Sequence, residues 1–428
     1  MRQLLTLLLF FINCISFAQS NKIDTYKFSQ DFGQIIQDLS DNYIYLKDKK
    51  TDFNCVMEKY SKVFSKVRTK QEKVLFFEYL LDEFYDSQLI LNTATKSSFR
   101  LHSPIYVAFR DGKFFIQNIW SSQMKSFGNN IIGAEVINFN SKDFNNVIDN
   151  FPTQCSNKSV SEVREWIANK VLAGRYNEPR ILTLKLVDGR KISLDVDDIK
   201  VKKENSLLSV SKKNGIAIIK INNSLGNKNL IRHFDNKLNS VLDSKGLILD
   251  LRNTADIGSS YNARAILSRF IKSELPYQKH ITKEKYGNNP EIIKSRLEYV
   301  SPRGIQYKQP VVVLVGRWTG SVGETIAIGL DGMNRAKIVG TEMEKLAGSV
   351  KDYSFKNRNY GYTISTDKLY HINGYKREDF IPEFYISQRN NLNDIVLNTA
   401  LGLFKIKTNS NFVTRESETN NTVVSKLD

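Results

Sequence analysis

The sequence predicts an α+β multidomain chain with three regions of different texture: an N-terminal helical subdomain over 21–98, a small β-rich module over 99–202 and an α/β layered core over 203–406. Three observations predict it. Apolar residues recur at helical spacing in the first region. Short alternating runs separated by Asp-Gly turns fill the second. In the third, β-type runs alternate with helical stretches.

The flanks read differently. Residues 1–18 have the form of a signal peptide: Arg2, an apolar run from Leu4 to Ile12, and Ser16-Phe17-Ala18 as a small-x-small cleavage site. The apolar run is too short to span a bilayer, so no transmembrane segment is expected in the mature chain. Cys14 sits inside that run without a lipobox. The expectation is export, to a periplasmic or extracellular location. The tail over 407–428, rich in Asn, Ser and Thr, is expected to be disordered.

Two cysteines remain in the mature chain, Cys55 and Cys155. Export permits a disulfide between them and their spacing does not require one. Sixty-two Lys and Arg against 45 Asp and Glu give a net charge of +17. These charges are dispersed, which favours solubility and mild attraction to anionic surfaces over nucleic-acid binding. The four histidines, His102, His233, His280 and His371, show no zinc-ligand spacing, and neither a metal nor a cofactor is expected.

In the helical region, Phe32, Ile35, Ile36 and Leu39 define one apolar stripe and Val74, Phe77, Leu80, Leu81 and Phe84 another. Asp52 before Phe53 is a cap signal for a helix between them. In the β-rich module, strands are expected at 105–109, 113–117 and 181–186, with turns at Asp111-Gly112 and Asp188-Gly189. Between them lie 133–140 and helical stretches near 142–151 and 159–173. A module of this texture suits peptide docking. In the core, 216–221, 246–252, 311–315 and 336–340 read as strands. Helices are expected at 229–242, at 262–271 and after Ser321.

The most informative stretch is Pro310 to Glu324. The buried strand Val311-Val-Val-Leu-Val315 leads into a turn holding Gly316 and Gly320, then Ser321, then the helical pattern Thr325, Ile326, Ile328, Leu330. A serine on a strand-to-helix turn exposes its hydroxyl, the Val322 N–H points into the same space, and the helix N-terminus favours negative charge there. That is how a serine nucleophile is built beside an oxyanion hole. Ser321-Val-Gly-Glu324 also fits a capping box, in which Ser321 and Glu324 exchange bonds with the first helical turn. The two roles can coexist.

The chain resembles the tail-specific, C-terminal-processing serine peptidases, including their tricorn-core and retinoid-binding-protein-like branches. The segments that carry the resemblance are Gly246-Leu-Ile-Leu-Asp-Leu-Arg-Asn253, Thr319-Gly-Ser-Val-Gly-Glu324, Arg335-Ala-Lys-Ile-Val-Gly-Thr341, Tyr85-Asp-Ser-Gln88 and the stretch 374–382. Their order holds across nearly the whole mature chain. The resemblance implies a PDZ-like module around 133–140 and a crotonase-like α/β peptidase core. It further implies Ser321 as nucleophile, the Val322 N–H as oxyanion donor and peptide or unfolded protein as substrate.

Two departures stand out. A Gly-Gly pair that supplies the second oxyanion donor is replaced by Asp256-Ile257, with Gly258 one residue on. A Ser-His pair is replaced by Ser87-Gln88, and an amide cannot accept a proton near neutral pH. The lysine used by the other branch corresponds to Leu346 or its neighbour Lys345, which becomes a candidate base, while Glu378 matches the acid that orients the missing histidine. His102 and His371 are the fallback imidazoles. Asp250 and Arg252 are expected to pair structurally. Two functions follow: an exported serine peptidase acting through an acyl-enzyme on Ser321, or a degenerate relative that binds peptides, lipids or an envelope partner.

Overall fold

The structure, a computed structural model, describes residues 23–124, 130–199, 202, 204–389 and 393–405. The expected signal peptide at 1–18 and tail at 407–428 lie outside the described residues.

Three helices open the chain: α1 (Thr25–Asn42), α2 (Phe53–Phe64) and α3 (Lys70–Asp82). Each starts on a side-chain cap: Asp24 accepts from the Lys27 N–H, Asp52 from the Asn54 N–H, and Thr69 with Glu72 forms a full capping box. Their apolar faces meet around Phe28, Tyr60, Phe76 and Phe77. That cluster also contains Phe355, just after a strand over Ser349–Ser354, and Tyr362 and Ile364 from one over Gly361–Tyr370, far along the chain. The helices therefore share one core with distant sequence.

Next come β1 (Ile105–Arg110), β2 (Lys113–Ile119), β3 (Glu135–Phe139) and β4 (Lys142–Asp143), followed by α4 (Phe144–Asp149), α5 (Ser161–Ala173), β5 (Ile181–Lys185) and β6 (Lys191–Asp195). The strands form an antiparallel sheet in the order β1-β2-β3-β5-β6, with β4 paired to β3. Asp111 and Gly112 both take positive φ (51° and 76°), the conformation that a two-residue hairpin turn demands.

The remainder comprises β7 (Leu208–Lys213), β8 (Ile216–Ile221), α6 (Leu230–Asn239), β9 (Gly246–Asp250), α7 (Ser260–Leu267), β10 (Leu275–Glu284), β11 (Ile292–Val300) and β12 (Val311–Val315). Then follow α8 (Val322–Gly332), β13 (Ala336–Gly340), β14 (Ser349–Ser354), β15 (Gly361–Tyr370), β16 (Phe384–Tyr385) and α9 (Ile395–Leu403). The central sheet runs β16-β13-β12-β9-β8-β7, parallel from β16 to β8, with β7 antiparallel at the edge. All residues of β9 and β12 are buried, as a sheet covered on both faces requires. In register, Leu314 pairs with Asp250 and Val315 with Gly340. The loops after β9, β12 and β13 therefore leave the sheet at one end, where parallel sheets carry their sites. A second sheet, β11-β10-β15-β14, is antiparallel.

Cys55 and Cys155 are joined, with Cα atoms 5.9 Å apart, pinning α2 to the segment before α5. Beside the bridge, fully buried Glu83 accepts hydrogen bonds from the N–H groups of Gln154 (2.6 Å), Cys155 (2.9 Å) and Ser156 (2.9 Å) and from the Tyr60 hydroxyl (2.9 Å). Closing a loop of this length stabilises the fold by about 4 kcal/mol. Reduction should therefore lower the urea midpoint markedly. Glu83→Ala, which strands those donors, should cost roughly 3 kcal/mol even with the disulfide intact. Equal midpoints for wild type and Glu83→Ala would show that this clamp is idle.

Candidate active site

The turn after β12 delivers Ser321 in a strained conformation. Its φ of 48° and ψ of −113° lie in a region that residues with a Cβ rarely occupy. Its half-exposed side chain makes no cap bond to α8. The capping box read from the sequence does not form. Glu324 is instead wholly buried, accepting from the backbone N–H of Lys345 (2.9 Å) and Leu346 (3.4 Å). Ser321 is thus held by its backbone, with its hydroxyl uncommitted to the cap, which is the arrangement of a nucleophile elbow.

The Val322 N–H belongs to the first turn of α8, where the helical ladder leaves donors unused. Gly258 packs directly on Val322: a Cβ at Gly258 would lie 2.5 Å from the Val322 Cβ. The loop carrying the expected second donor therefore reaches the elbow, and only glycine fits there. The Asp256 N–H is already committed to Asn223 Oδ1 (2.9 Å). The Asp256 carboxylate, largely exposed, lies 3.7 Å from His102 Nε2.

Gln88 is buried and knitted into the fold. Its N–H donates to Asp86 Oδ1 (2.8 Å) and its Nε2 donates to the Gly348 carbonyl (3.4 Å). Arg377 donates to the same carbonyl (2.6 Å) and to that of Leu346 (2.7 Å). Glu378, next in the chain, has its carboxyl pushed above the ordinary range by burial. Gln88 and Arg377, the residue before Glu378, therefore meet at the Gly348 carbonyl. Ser87 is exposed, its hydroxyl accepting from Trp166 Nε1 (3.1 Å). Lys345 is exposed and left-handed (φ 64°), without the desolvation that makes a lysine a good base.

His371 sits elsewhere. It is buried with Nε2 3.2 Å from Asp331 and its ring stacked on Tyr375. Asp331 is at the far end of α8, about 15 Å from the elbow by helical rise. His102 is the imidazole that lies beside Asp256 and Glu344. A cleft of about 890 Å³ is lined by Ser87, His102, Trp166, Ile257, Trp318 and Glu344, among others. His102 Nδ1 is 3.7 Å from Glu344 Oε1. Glu344 Oε2 is buried without a hydrogen-bond partner, against Gly320: a Cβ there would fall 2.0 Å from it. No motif points to Glu344, whose place is set by its own N–H on the Thr319 carbonyl (3.0 Å) and by the amide bonds of Lys345 and Leu346 to Glu324. Asp250 and Arg252 pair as expected (2.7 Å), and Asp394 joins them (2.7 Å).

Burial lowers the His102 pKa, against the opposing pull of Asp256, and keeps the ring neutral more readily. Burial pushes the Glu324 carboxyl up to about 7. Glu344 is pushed up to about 8, by burial and then by the charge of Glu324. Among the described residues no cluster of His, Cys, Asp and Glu could hold a metal ion.

A family model described as Peptidase family S41 matches residues 215–383, and one described as Tricorn protease C1 domain matches 24–82. No curated protein matches the chain. Among solved structures, mature CPAF is 14% identical with a TM-score of 0.59, over 89% of this chain and 96% of that one. Mature CPAF complexed with lactacystin is 14% identical with a TM-score of 0.57, over 89% and 97%. The photosystem II D1 C-terminal processing protease is 11% identical with a TM-score of 0.50, over 85% and 93%. At these identities the likeness is one of fold.

The raised carboxyls set a pH dependence. Folded Glu324 and Glu344 hold protons that the unfolded chain has already lost above about 4.5. Each therefore withdraws stability as pH rises from there towards its folded value of about 7 or about 8. Glu344→Gln should gain in melting temperature relative to wild type between pH 5 and about pH 8.5. A constant difference across that range would contradict the buried-acid assignment.

Proposed function

We propose, from the match of residues 215–383 to the Peptidase family S41 model, that the chain is an exported serine peptidase cleaving peptide bonds through an acyl-enzyme on Ser321. The observation that carries the proposal is the strained backbone of Ser321 at the start of α8. Strain of this kind persists only where surrounding structure enforces it, and it aims the hydroxyl away from the helix it would otherwise cap. The Val322 N–H and the α8 N-terminus then face the negative charge that develops on a scissile carbonyl. The cleft lined by Ile257, Trp318 and Glu344 is large enough for an extended peptide, consistent with unfolded or C-terminal segments as substrates.

Export rests on the 1–18 signal, and the Cys55–Cys155 bridge fits an oxidising compartment. Peptide docking on the PDZ-like module takes a particular form. The open edge of β1 is already covered by α5: Asn169 bonds both the N–H (3.0 Å) and the carbonyl (2.9 Å) of Val107, and Glu165 accepts from the Phe109 N–H (2.9 Å). A peptide strand adding there must displace both side chains, whereas the β6 edge has no such cover among the described residues.

Gln88 favours a second reading: a degenerate peptidase that binds peptides, lipids or an envelope partner without turnover, because the amide at the base position accepts no proton. A fluorophosphonate probe separates the two. Under the peptidase reading it labels Ser321 in wild type, and Ser321→Ala lowers hydrolysis of fluorescein-labelled casein by roughly 10³-fold or more. Folded wild-type protein that neither labels nor cleaves, yet gains turnover as Gln88→His, would establish the degenerate reading instead.

A further inference from the structure

The proposed chemistry needs a proton acceptor, and Gln88 is not one. We propose that His102, held between Asp256 and Glu344 beside the Gly320–Ser321 peptide, is the general base of Ser321. This inference rests on the peptidase reading above and deepens it.

The position of His102 is fixed from two sides of the elbow. Glu344 lies 3.7 Å from its Nδ1 and packs on Gly320, the residue before the nucleophile. Asp256 lies 3.7 Å from its Nε2 and belongs to the loop whose Gly258 packs on Val322, the residue after it. The Ala255 carbonyl and Glu344 Oε2 both flank Gly320, so the loops after β9 and β13, which carry Asp256 and Glu344, converge on the residue before Ser321. The imidazole lies beside a carboxylate from each of these loops.

The β-rich module carries His102, and its docking is built on the turn that leads to Ser321. Trp318 stacks on Trp120 with centroids 5.4 Å apart and planes 3° from parallel. Trp318 Nε1 donates to the carbonyl of Ser103, the residue after His102 (3.0 Å). The Arg317 guanidinium lies 3.8 Å over the Tyr106 ring, and Trp120 Nε1 donates to the Arg252 carbonyl (3.2 Å). His102 and Ser321 are thus tied to one rigid turn.

The electrostatics suit the role. Burial favours the neutral ring that accepts a proton, and two carboxyl groups face the imidazolium once it forms. Glu344 holds a buried oxygen without a partner, and a positive ring beside it favours ionisation of that carboxyl, which burial otherwise opposes. Charged groups lining the same cleft include Arg100, Arg317, Glu342 and Lys345.

The step balances within the site. The Ser321 proton passes to the imidazole as the Oγ–C bond forms and the carbonyl π pair moves onto oxygen, beside the Val322 N–H. Collapse breaks the C–N bond, and the imidazolium returns the proton to the leaving amine. Water then repeats the sequence: its proton goes to the imidazole, its oxygen bonds the acyl carbon, and the Oγ–C bond breaks with the proton restored to Ser321.

The test compares fluorescein–casein hydrolysis, its pH profile and fluorophosphonate labelling across wild type, His102→Gln, His102→Gly and the surface control His233→Gln. The expected result is a loss in kcat of about 10²- to 10⁴-fold for His102→Gln with KM little changed. The acidic limb of the wild-type pH profile should vanish with it. Added imidazole should restore activity to folded His102→Gly and leave His233→Gln unaffected. If Ser321→Ala abolishes hydrolysis while His102→Gln keeps the wild-type rate and profile, the peptidase reading stands and this base assignment falls. A wild type inert to both casein and the probe overturns both.

Discussion

The site depends on one buried carboxylate. Glu324 lies in the first turn of α8 with no exposure and takes the backbone N–H groups of Lys345 and Leu346. Removing a carboxyl group from water costs several kcal/mol unless donors replace the lost hydration. The return loop after β13 supplies them, so it cannot drift from α8 without stranding the group. Arg377, 4.0 Å from Glu324, holds the carbonyls of Leu346 and Gly348 in turn. What faces the elbow from that side, Glu344 and Lys345, is positioned by this contact. The elbow and its opposite wall therefore form one unit.

The same logic explains why an amide at position 88 suits the scaffold. Gln88 keeps the polar bonds of a buried side chain, donating to Gly348, and gives up only proton transfer. Packing tolerates that exchange because no cavity or unpaired group results. Under the base assignment proposed above, the chemistry falls to His102, brought in by the neighbouring module through the Trp120–Trp318 stack and the Ser103 carbonyl. A base that arrives on a docked module makes activity a property of the interface. Any movement of the module away from the Arg317–Trp318 turn would separate His102 from Ser321.

How much of this the sequence revealed follows from burial. β8, β9, β12 and β13 are legible because strands covered on both faces read as runs of Val, Ile and Leu. β11 and β14 are not, because most residues of β11 are exposed and none of β14 is buried, so no covered apolar face marks either strand. The helical N-terminal region was visible, whereas its shared core with Phe355 and Tyr362 was not, since periodicity says nothing about partners far away in the chain. Ser321 stood out through its flanking glycines. Its positive φ is a tertiary property, which is why the letters of a capping box misled. His102 carries no motif around it, and only the docking of two modules gives it a role.

The most direct measurement is a crystal structure of the protein with a peptide boronic acid. The account predicts a covalent bond from Ser321 Oγ to boron, one boronate oxygen against the Val322 N–H, and the His102 imidazole within about 3 Å of the other. A boronate bound to Ser321 while His102 stays remote, or an adduct formed on any other residue, would contradict it.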